Sequence, residues 1–265
     1  MKLNNFFSRH SVFTVEELDG YLGDVNKKSR TVLLNYHRRN GRILPVRRGL
    51  YAVVPVGMNP ESAPLDPYLL ASKMTHDAVL SHHTALELHG RAYSVYQRFF
   101  YLSGRPSQPV RFRSYEFKGV LMPKALRDRG MGSFGVESLE RQGLQLRVTT
   151  LERTLVDVLD RPDLCGGWEE IWRSLESVEY FKLDQVVEYV RLLGKSTTAA
   201  KVGFYLEQHK DMLMVDRRHL DELRKHIPRQ PHYLERSRRN GGRFLSGWNL
   251  IVPEEVVKRS WAEVP

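Results

Sequence analysis

"NKKSRTVLLNYHRRNGRILPVRRGLYAVVP" occupies residues 26–55 and joins a helix signal to a hairpin signal. Asn26 is a residue type that accepts backbone hydrogen bonds at a helix N-terminus, and the Asn-Gly pair at 40–41 is typical of a helix end. The β-rich segments RILPV (42–46) and LYAVV (50–54) follow, joined by a turn that ends in glycine, which tolerates positive φ. The stretch therefore predicts one helix followed by a β-hairpin.

Two shorter helices are predicted before this stretch. KLNNFFSRHS favours a first helix with Phe6 and Phe7 turned inward. FTVEELDGYLG contains a capping box, Thr14 with Glu17 three residues later, and its apolar residues recur at helical spacing. Three short helices and a hairpin, in this order, are typical of a winged helix-turn-helix, which we expect to span residues 1–58.

A helical wheel at about 100° per residue divides the helix after Asn26 into two faces. The face expected to pack into the core contains Ser29, Val32, Leu33 and Tyr36. The face expected to point outward contains Lys27, Lys28, Thr31, Asn35, Arg38 and Arg39. A helix in a major groove requires a basic outer face that is rich in hydrogen-bond donors, although an ordinary solvated face would look similar.

The positive charge of the chain is concentrated near the N-terminus. The sequence has 41 Lys and Arg against 31 Asp and Glu, a net charge of +10. Residues 1–58 hold ten of the basic and four of the acidic residues, so +6 of the excess lies there and +4 in the other 207 residues. A local basic excess is typical of a polyanion-binding site, and solubility is the alternative explanation.

These patterns predict a set of DNA contacts. The residues predicted to contact DNA are Lys27, Lys28, Arg30, Thr31, Asn35, Arg38, Arg39, Arg47 and Arg48. Arg47 and Arg48, at the tip of the hairpin, are expected to be exposed and to reach phosphates or an adjacent minor groove. Thr31, Asn35 and the two lysines are expected to contact base edges and to provide specificity.

The remainder of the chain predicts a second domain. Residues 59–66 have no periodicity and favour a linker, and residues 67–265 alternate helix and strand patterns before a run of amphipathic helices. Thr149 and Glu152 form a second capping box, expected to open a helix that Pro162 ends. The fold class is therefore mixed α/β (α+β), with a winged helix at 1–58 and a larger domain whose second half is rich in helices.

The order of four segments resembles a known family. These segments are GRILPVRRGLYAV, SHHTALELHG, TTLERTLVDVLDRP and GWNLIVP. They resemble the AbiEi-type antitoxins, transcriptional regulators of abortive-infection, type IV toxin–antitoxin systems. The resemblance implies that the winged helix represses its own operon at double-stranded operator DNA with inverted repeats. It also implies that the second domain counteracts a nucleotidyltransferase toxin, although it does not imply a stable complex with that toxin. The resemblance identifies no catalytic residues.

Three motifs in the second domain could belong to an enzyme. Histidines at 76, 82, 83 and 89 lack the i, i+4 spacing of a zinc-binding helix, and His82 and His83 are expected to cap a helix or to lie in a polar corner. The Glu116-Phe117-Lys118 tripeptide has the form found in metal-dependent nucleases but lacks a clear second carboxylate. Cys165 has no evident histidine partner. We therefore expect no enzyme, no metal and no cofactor, with two alternatives: a DNA-targeted nuclease, or a regulator with a partner-sensing domain and no toxin.

Two further features complete the prediction. A second basic surface, for nucleic acid or an acidic protein, is suggested by Arg229, Arg236, Arg238, Arg239 and Arg243. The sequence has no apolar run long enough to span a membrane, its N-terminus does not resemble a signal peptide, and its single cysteine precludes an intrachain disulfide. These features favour a cytoplasmic protein.

Overall fold

A computed structural model describes residues 2–23, 25–235 and 241–262. The chain forms two compact units, each discontinuous in sequence. The first unit contains residues 1–80, 97–120 and 138–147, and the second contains residues 81–96, 121–137 and 148–265.

The N-terminal part of the first unit is a winged helix. Its elements are α1 (Lys2–Arg9), β1 (Val12–Thr14), α2 (Val15–Leu22), α3 (Lys27–Arg39), β2 (Ile43–Arg47) and β3 (Leu50–Val53). The three strands form an antiparallel sheet in the order β1-β3-β2. This arrangement confirms the predicted three helices and hairpin.

The predicted caps set the ends of these helices. The Thr14 hydroxyl accepts from the Glu17 amide at 3.3 Å, while the Glu17 carboxylate accepts from the Thr14 amide at 2.8 Å. The Asn26 side chain accepts from the Ser29 amide at 2.9 Å and starts α3. Each bond satisfies a donor that has no partner within its helix, so the sequence predicted both starts correctly.

Aromatic rings form the core of the winged helix. The Phe6 and Phe13 rings meet edge to face at 5.3 Å, and Phe13 stacks on Tyr51 of β3 at 5.5 Å. Phe7 is buried beside them, as predicted. Leu18, Leu34, Ile43 and Val53 complete the buried cluster. Offset and edge-to-face ring pairs stabilise such a small core beyond the area they bury.

A six-stranded sheet follows the winged helix, and most of its residues belong to the first unit. The helix α4 (Pro67–Ser72) precedes it. The strands are β4 (Val79–Leu80), β5 (Arg98–Ser103), β6 (Val110–Phe112), β7 (Tyr115–Leu121), β8 (Val136–Arg141) and β9 (Leu144–Thr149). Their order is β6-β7-β5-β4-β9-β8.

The expected linker at 59–66 lies within the first unit and is bonded to other segments of that unit. Arg113 donates to the carbonyl groups of Pro60 and Ala63, each at 2.6 Å. The Asp66 carboxylate accepts from the Tyr68 amide at 2.9 Å and from Arg141 at 2.5 Å, so it both caps α4 and forms an ion pair. The division into 1–58, 59–66 and 67–265 stays a prediction about the organisation of the chain.

The second unit is mainly helical. Its helices are α5 (His83–Leu88), α6 (Lys124–Asp128), α7 (Leu151–Asp160), α8 (Trp168–Glu176), α9 (Leu183–Leu193), α10 (Ser196–Gln208), α11 (Arg217–Arg224) and α12 (Glu254–Lys258). A small sheet, in the order β10-β12-β11, combines β10 (His232–Tyr233), β11 (Arg243–Leu245) and β12 (Leu250–Val252). The mixed α/β class and the helix-rich second half are both confirmed.

The predicted capping box at Thr149 is wrong by one residue. The Thr150 hydroxyl caps α7 by accepting from the Arg153 amide at 3.4 Å. Thr149 is buried and its hydroxyl bonds that of Thr154 at 2.7 Å, while Glu152 accepts from the Lys182 amide at 3.1 Å. Two adjacent threonines offer the same chemistry, and the burial of the first leaves the second to cap the helix. The helix ends at Asp160, before Pro162, as predicted.

Candidate nucleic-acid interface

The helix α3 is rotated relative to the predicted wheel. Leu34 is buried at 9% exposure, and Arg30, Leu33 and His37 are half-buried on the same side. Val32 and Tyr36, which were predicted to pack inward, are 69% and 61% exposed. The assignment of Val32 and Tyr36 to the core, and of Ser29, which is also exposed, is therefore wrong.

Partners for two polar side chains explain this rotation. Arg30 forms an ion pair with Asp19 of α2. The ring of His37 meets that of Phe7 edge to face at 5.0 Å, and burial, followed by the charge of Arg42, lowers the pKa of His37. An arginine with a carboxylate partner and a neutral imidazole both tolerate partial burial. Arg30 was predicted to contact DNA, but the structure directs its guanidinium group into the protein.

The other predicted contacts on α3 are exposed. These residues are Lys27, Lys28, Thr31, Asn35, Arg38 and Arg39. The Thr31 hydroxyl donates to the Lys27 carbonyl at 2.8 Å, so its oxygen remains available as an acceptor. The exposed face of α3 thus presents cationic groups, an amide and a hydroxyl, which together can contact both phosphates and base edges.

The two arginines at the hairpin tip have different environments. Arg48 is exposed, and Gly49 beside it has a φ of 82°, which allows the tight turn. Arg47 is half-buried, and its guanidinium group donates to the carbonyl groups of Lys73 and Met74 after α4. The expectation that Arg47 is exposed is therefore wrong.

The β2–β3 hairpin, which is the wing of the winged helix, is short, and its tip is hydrogen-bonded to neighbouring elements. The Gly49 carbonyl accepts from the Val15 amide at 2.9 Å, so the tip of the hairpin is bonded to the start of α2. Glu17 in the first turn of α2 forms an ion pair with Lys73 after α4. Together with the Arg47 contacts, these bonds hold the tip in one position, where Arg48 remains exposed to solvent.

The predicted second basic surface lies partly outside the described residues. Arg236, Arg238 and Arg239 fall in the segment that the structure does not describe. Arg229 is exposed, whereas Arg243 binds the Glu254 carboxylate with two N–O distances of 3.2 and 3.1 Å. An ion-paired arginine contributes less net positive charge to a binding surface. The role of this surface stays a prediction.

Two histidines of the motif, His82 and His83, are buried in the second unit, whereas His76 is exposed in the first. His83 donates to the Glu170 carboxylate at 3.1 Å and stacks on the Tyr96 ring at 4.0 Å. His89 donates to the Thr149 carbonyl at 2.8 Å. Glu170 also accepts from the Ser94 amide at 2.9 Å. The polar-corner interpretation is confirmed, and these contacts are structural hydrogen bonds.

The glutamate of the Glu116-Phe117-Lys118 tripeptide forms ion pairs with arginines. The Glu116 carboxylate lies 2.6 Å from Arg98 and 3.8 Å from Arg111. Within residues 2–23, 25–235 and 241–262, the structure shows no group of three or more His, Cys, Asp or Glu side chains arranged to hold a metal ion. Cys165 is buried, and burial raises the pKa of its thiol well above the ordinary value. The Glu116 carboxylate, which the nuclease alternative would use as a metal ligand, is paired with arginines in this structure.

The segment that forms the winged helix matches the model of a known sequence family. Residues 1–54 match the family model described as "Transcriptional regulator, AbiEi antitoxin". The AbiEi match confirms the resemblance for this segment, and it ends one residue after β3, so it covers the whole winged helix. The match supports a role as a DNA-binding regulator of the antitoxin type.

A solved structure is similar over nearly the whole chain. The crystal structure of the RV2827C protein from Mycobacterium tuberculosis aligns with 99% of this chain and 94% of its own, at a TM-score of 0.63 and 18% identity. At this identity the likeness shows the fold alone. No curated protein sequence matches the chain. In the described part of the chain, every helix is too short or too polar to cross a membrane.

Proposed function

We propose that this protein is a cytoplasmic, non-enzymatic transcriptional autorepressor and antitoxin that counteracts a cognate nucleotidyltransferase toxin. The observation that carries the proposal is the exposed face of α3, which presents basic and hydrogen-bonding side chains on a winged helix that matches the AbiEi model. The toxin and the autorepression rest on that match rather than on the geometry.

The structure supports a revised set of DNA contacts. Arg30 and Arg47 leave the set, because Asp19 and two backbone carbonyl groups engage their guanidinium groups. The retained residues are Lys27, Lys28, Thr31, Asn35, Arg38, Arg39 and Arg48, and each is exposed. A helix in the major groove would present these side chains to base edges and to the adjacent phosphates.

The retained residues divide between affinity and specificity. Lys27, Arg38 and Arg48 would neutralise phosphates, and each phosphate contact releases counterions, so binding should weaken steeply with salt. Lys28 and Asn35, on the outer face, would contact base edges, where a good bidentate pair discriminates by about 1–3 kcal/mol. Thr31 would accept a hydrogen bond from a base amino group.

The DNA-binding part of the proposal is tested by selecting duplexes from a random library and measuring affinity as a function of salt concentration. Asn35→Ala should reduce discrimination between the selected duplex and a scrambled one. Arg38→Ala should weaken binding to both duplexes and flatten the salt dependence by about one unit of slope. Arg217→Ala is the matched control, because its side chain is 91% exposed on α11 in the second unit. Binding of the same strength to both duplexes would overturn the proposal.

The antitoxin part is tested separately, in cells made toxic by expression of the proposed cognate nucleotidyltransferase. The protein, produced from an unrelated promoter, should protect the cells, and Asn35→Ala should still protect, because neutralisation is assigned to residues 67–265. A reporter fused to the native promoter should be repressed by the wild type and released by Asn35→Ala. Repression without protection would favour the alternative of a regulator that has no toxin.

A further inference from the structure

Val32 is an exposed apolar residue at the centre of the outer face of α3. At 69% exposure, its side chain contributes little to the core. Its β-branched side chain is also less favourable in a helix than that of Ala, Lys or Arg. Neither packing nor helix propensity therefore accounts for a valine at this position.

The neighbours of Val32 place it where a base edge would lie. Lys28 is four residues before it and Asn35 three residues after it, and residues at these spacings are adjacent on a helix surface, about 5–6 Å apart at Cβ. Thr31 completes a four-residue patch. On a wheel, this patch lies about half a turn from Arg30, Leu33, Leu34 and His37, which face the protein. The patch thus points directly away from the core.

The chemistry of the patch specifies its ligand. Lys28, Thr31 and Asn35 offer hydrogen-bond donors or acceptors, whereas Val32, beside Lys28 and Asn35, offers only methyl groups. Among the groups that base pairs present in the major groove, the apolar one is the C5-methyl group of thymine. The cations Lys27, Arg38 and Arg39 are also exposed on α3 and complement the phosphates that border such a groove.

We infer that Val32 is a specificity-determining residue that packs against the 5-methyl group of a thymine in the operator. This inference rests on the proposed DNA binding and deepens it, since it names the base that Val32 reads. A methyl–methyl contact removes apolar surface of both partners from water. The loss of one buried methyl group corresponds to about a fourfold change in affinity.

The test uses the selected duplex, in which each thymine is replaced in turn by uracil, a base that differs only in lacking the methyl group. Wild-type affinity should fall about fourfold at the thymine that Val32 contacts. Val32→Ala should bind the thymine duplex about fourfold or more weakly than the wild type and should not discriminate uracil from thymine at that position. Val32→Thr, which keeps the side-chain shape and one methyl group, should show an intermediate response.

The control is Val95→Ala, which truncates an even more exposed valine (85%) in the second unit and should retain the full uracil response. The inference is overturned if Val32→Ala keeps the same uracil response as the wild type, or if no thymine responds in a duplex that is bound sequence-specifically. The absence of any sequence-specific binding would instead overturn the proposed function, so the two failures are distinguishable.

Discussion

The orientation of α3 can be tested by comparing two truncations on opposite faces of this helix. Leu34→Ala removes a side chain that is buried among Phe7, Ile43 and Val53, whereas Val32→Ala removes one that faces solvent. A buried Leu→Ala substitution costs about 2–5 kcal/mol, through lost transfer free energy and the residual cavity. Because Leu34 lies at the edge of a small core, we expect about 2–3 kcal/mol.

The expected effect of Val32→Ala is much smaller and can have the opposite sign. Its removed methyl groups are already solvated, and alanine favours a helix more than valine by a few tenths of a kcal/mol, within the range of about 0.7 kcal/mol for ordinary residues. The two variants should therefore differ by about 2 kcal/mol or more in the free energy of opening this helix.

Native-state hydrogen exchange on the full chain measures this difference at the helix itself. Backbone amides of α3 should exchange about 30–150-fold faster in Leu34→Ala, because each 1.36 kcal/mol changes an opening equilibrium tenfold. Val32→Ala should leave their exchange within about threefold of wild type. If Val32→Ala or Tyr36→Ala accelerated exchange as much as Leu34→Ala, α3 would face the core through the residues that the sequence wheel suggested.

Three further predictions follow from single side chains. Arg47→Ala should lower the melting temperature, because it removes donors from two carbonyl groups after α4. Arg48→Ala should leave the melting temperature unchanged and reduce the salt slope of DNA binding by about 0.9. Equal melting temperatures for the two variants would contradict this prediction. Burial raises the pKa of Glu170, but hydrogen bonds, first that from Ser94, lower it below its ordinary value of 4.5, so the carboxylate stabilises the fold above that pH. Glu170→Gln should thus be destabilising at pH 7, and the difference should shrink as the pH falls below 4.5; urea titrations that show a constant difference would refute this. Neither the wild type nor Lys118→Ala should cleave plasmid DNA with Mg²⁺, and cleavage abolished by Glu116→Gln would establish the nuclease alternative.

Local chemistry made the element boundaries of the winged helix predictable. Thr14 with Glu17, and Asn26, satisfy orphan amides of their own helices, so the signal and its structural cause lie within four residues. The turn at Gly49 is equally local, since its φ of 82° favours glycine whatever surrounds it. The exposed positions of Lys28 and Asn35 followed from the same helix assignment.

The rotation of α3 was not predictable in the same way, because it depends on partners that are distant in sequence. The wheel admits two inner faces, one through Val32 and Tyr36 and one through Leu34 and His37. The second face is chosen by Asp19, which neutralises an arginine, and by the Phe7 ring, which receives an imidazole edge. The partial burial of Arg47 was not predictable for the same reason, since its acceptors lie 26 and 27 residues later.

The discontinuity of the first unit has a consequence for how the protein is made. A ribosome releases residues 1–80 before the strands at 97–120 and the segment 138–147 that complete the same unit. The bonds of Arg47 with the end of α4 are available early in synthesis, whereas Arg113 and Arg141 reach residues 60–66 only later. The nascent chain must therefore hold a finished winged helix beside an unfinished sheet, and no single cut of the mature chain separates one complete unit from the other.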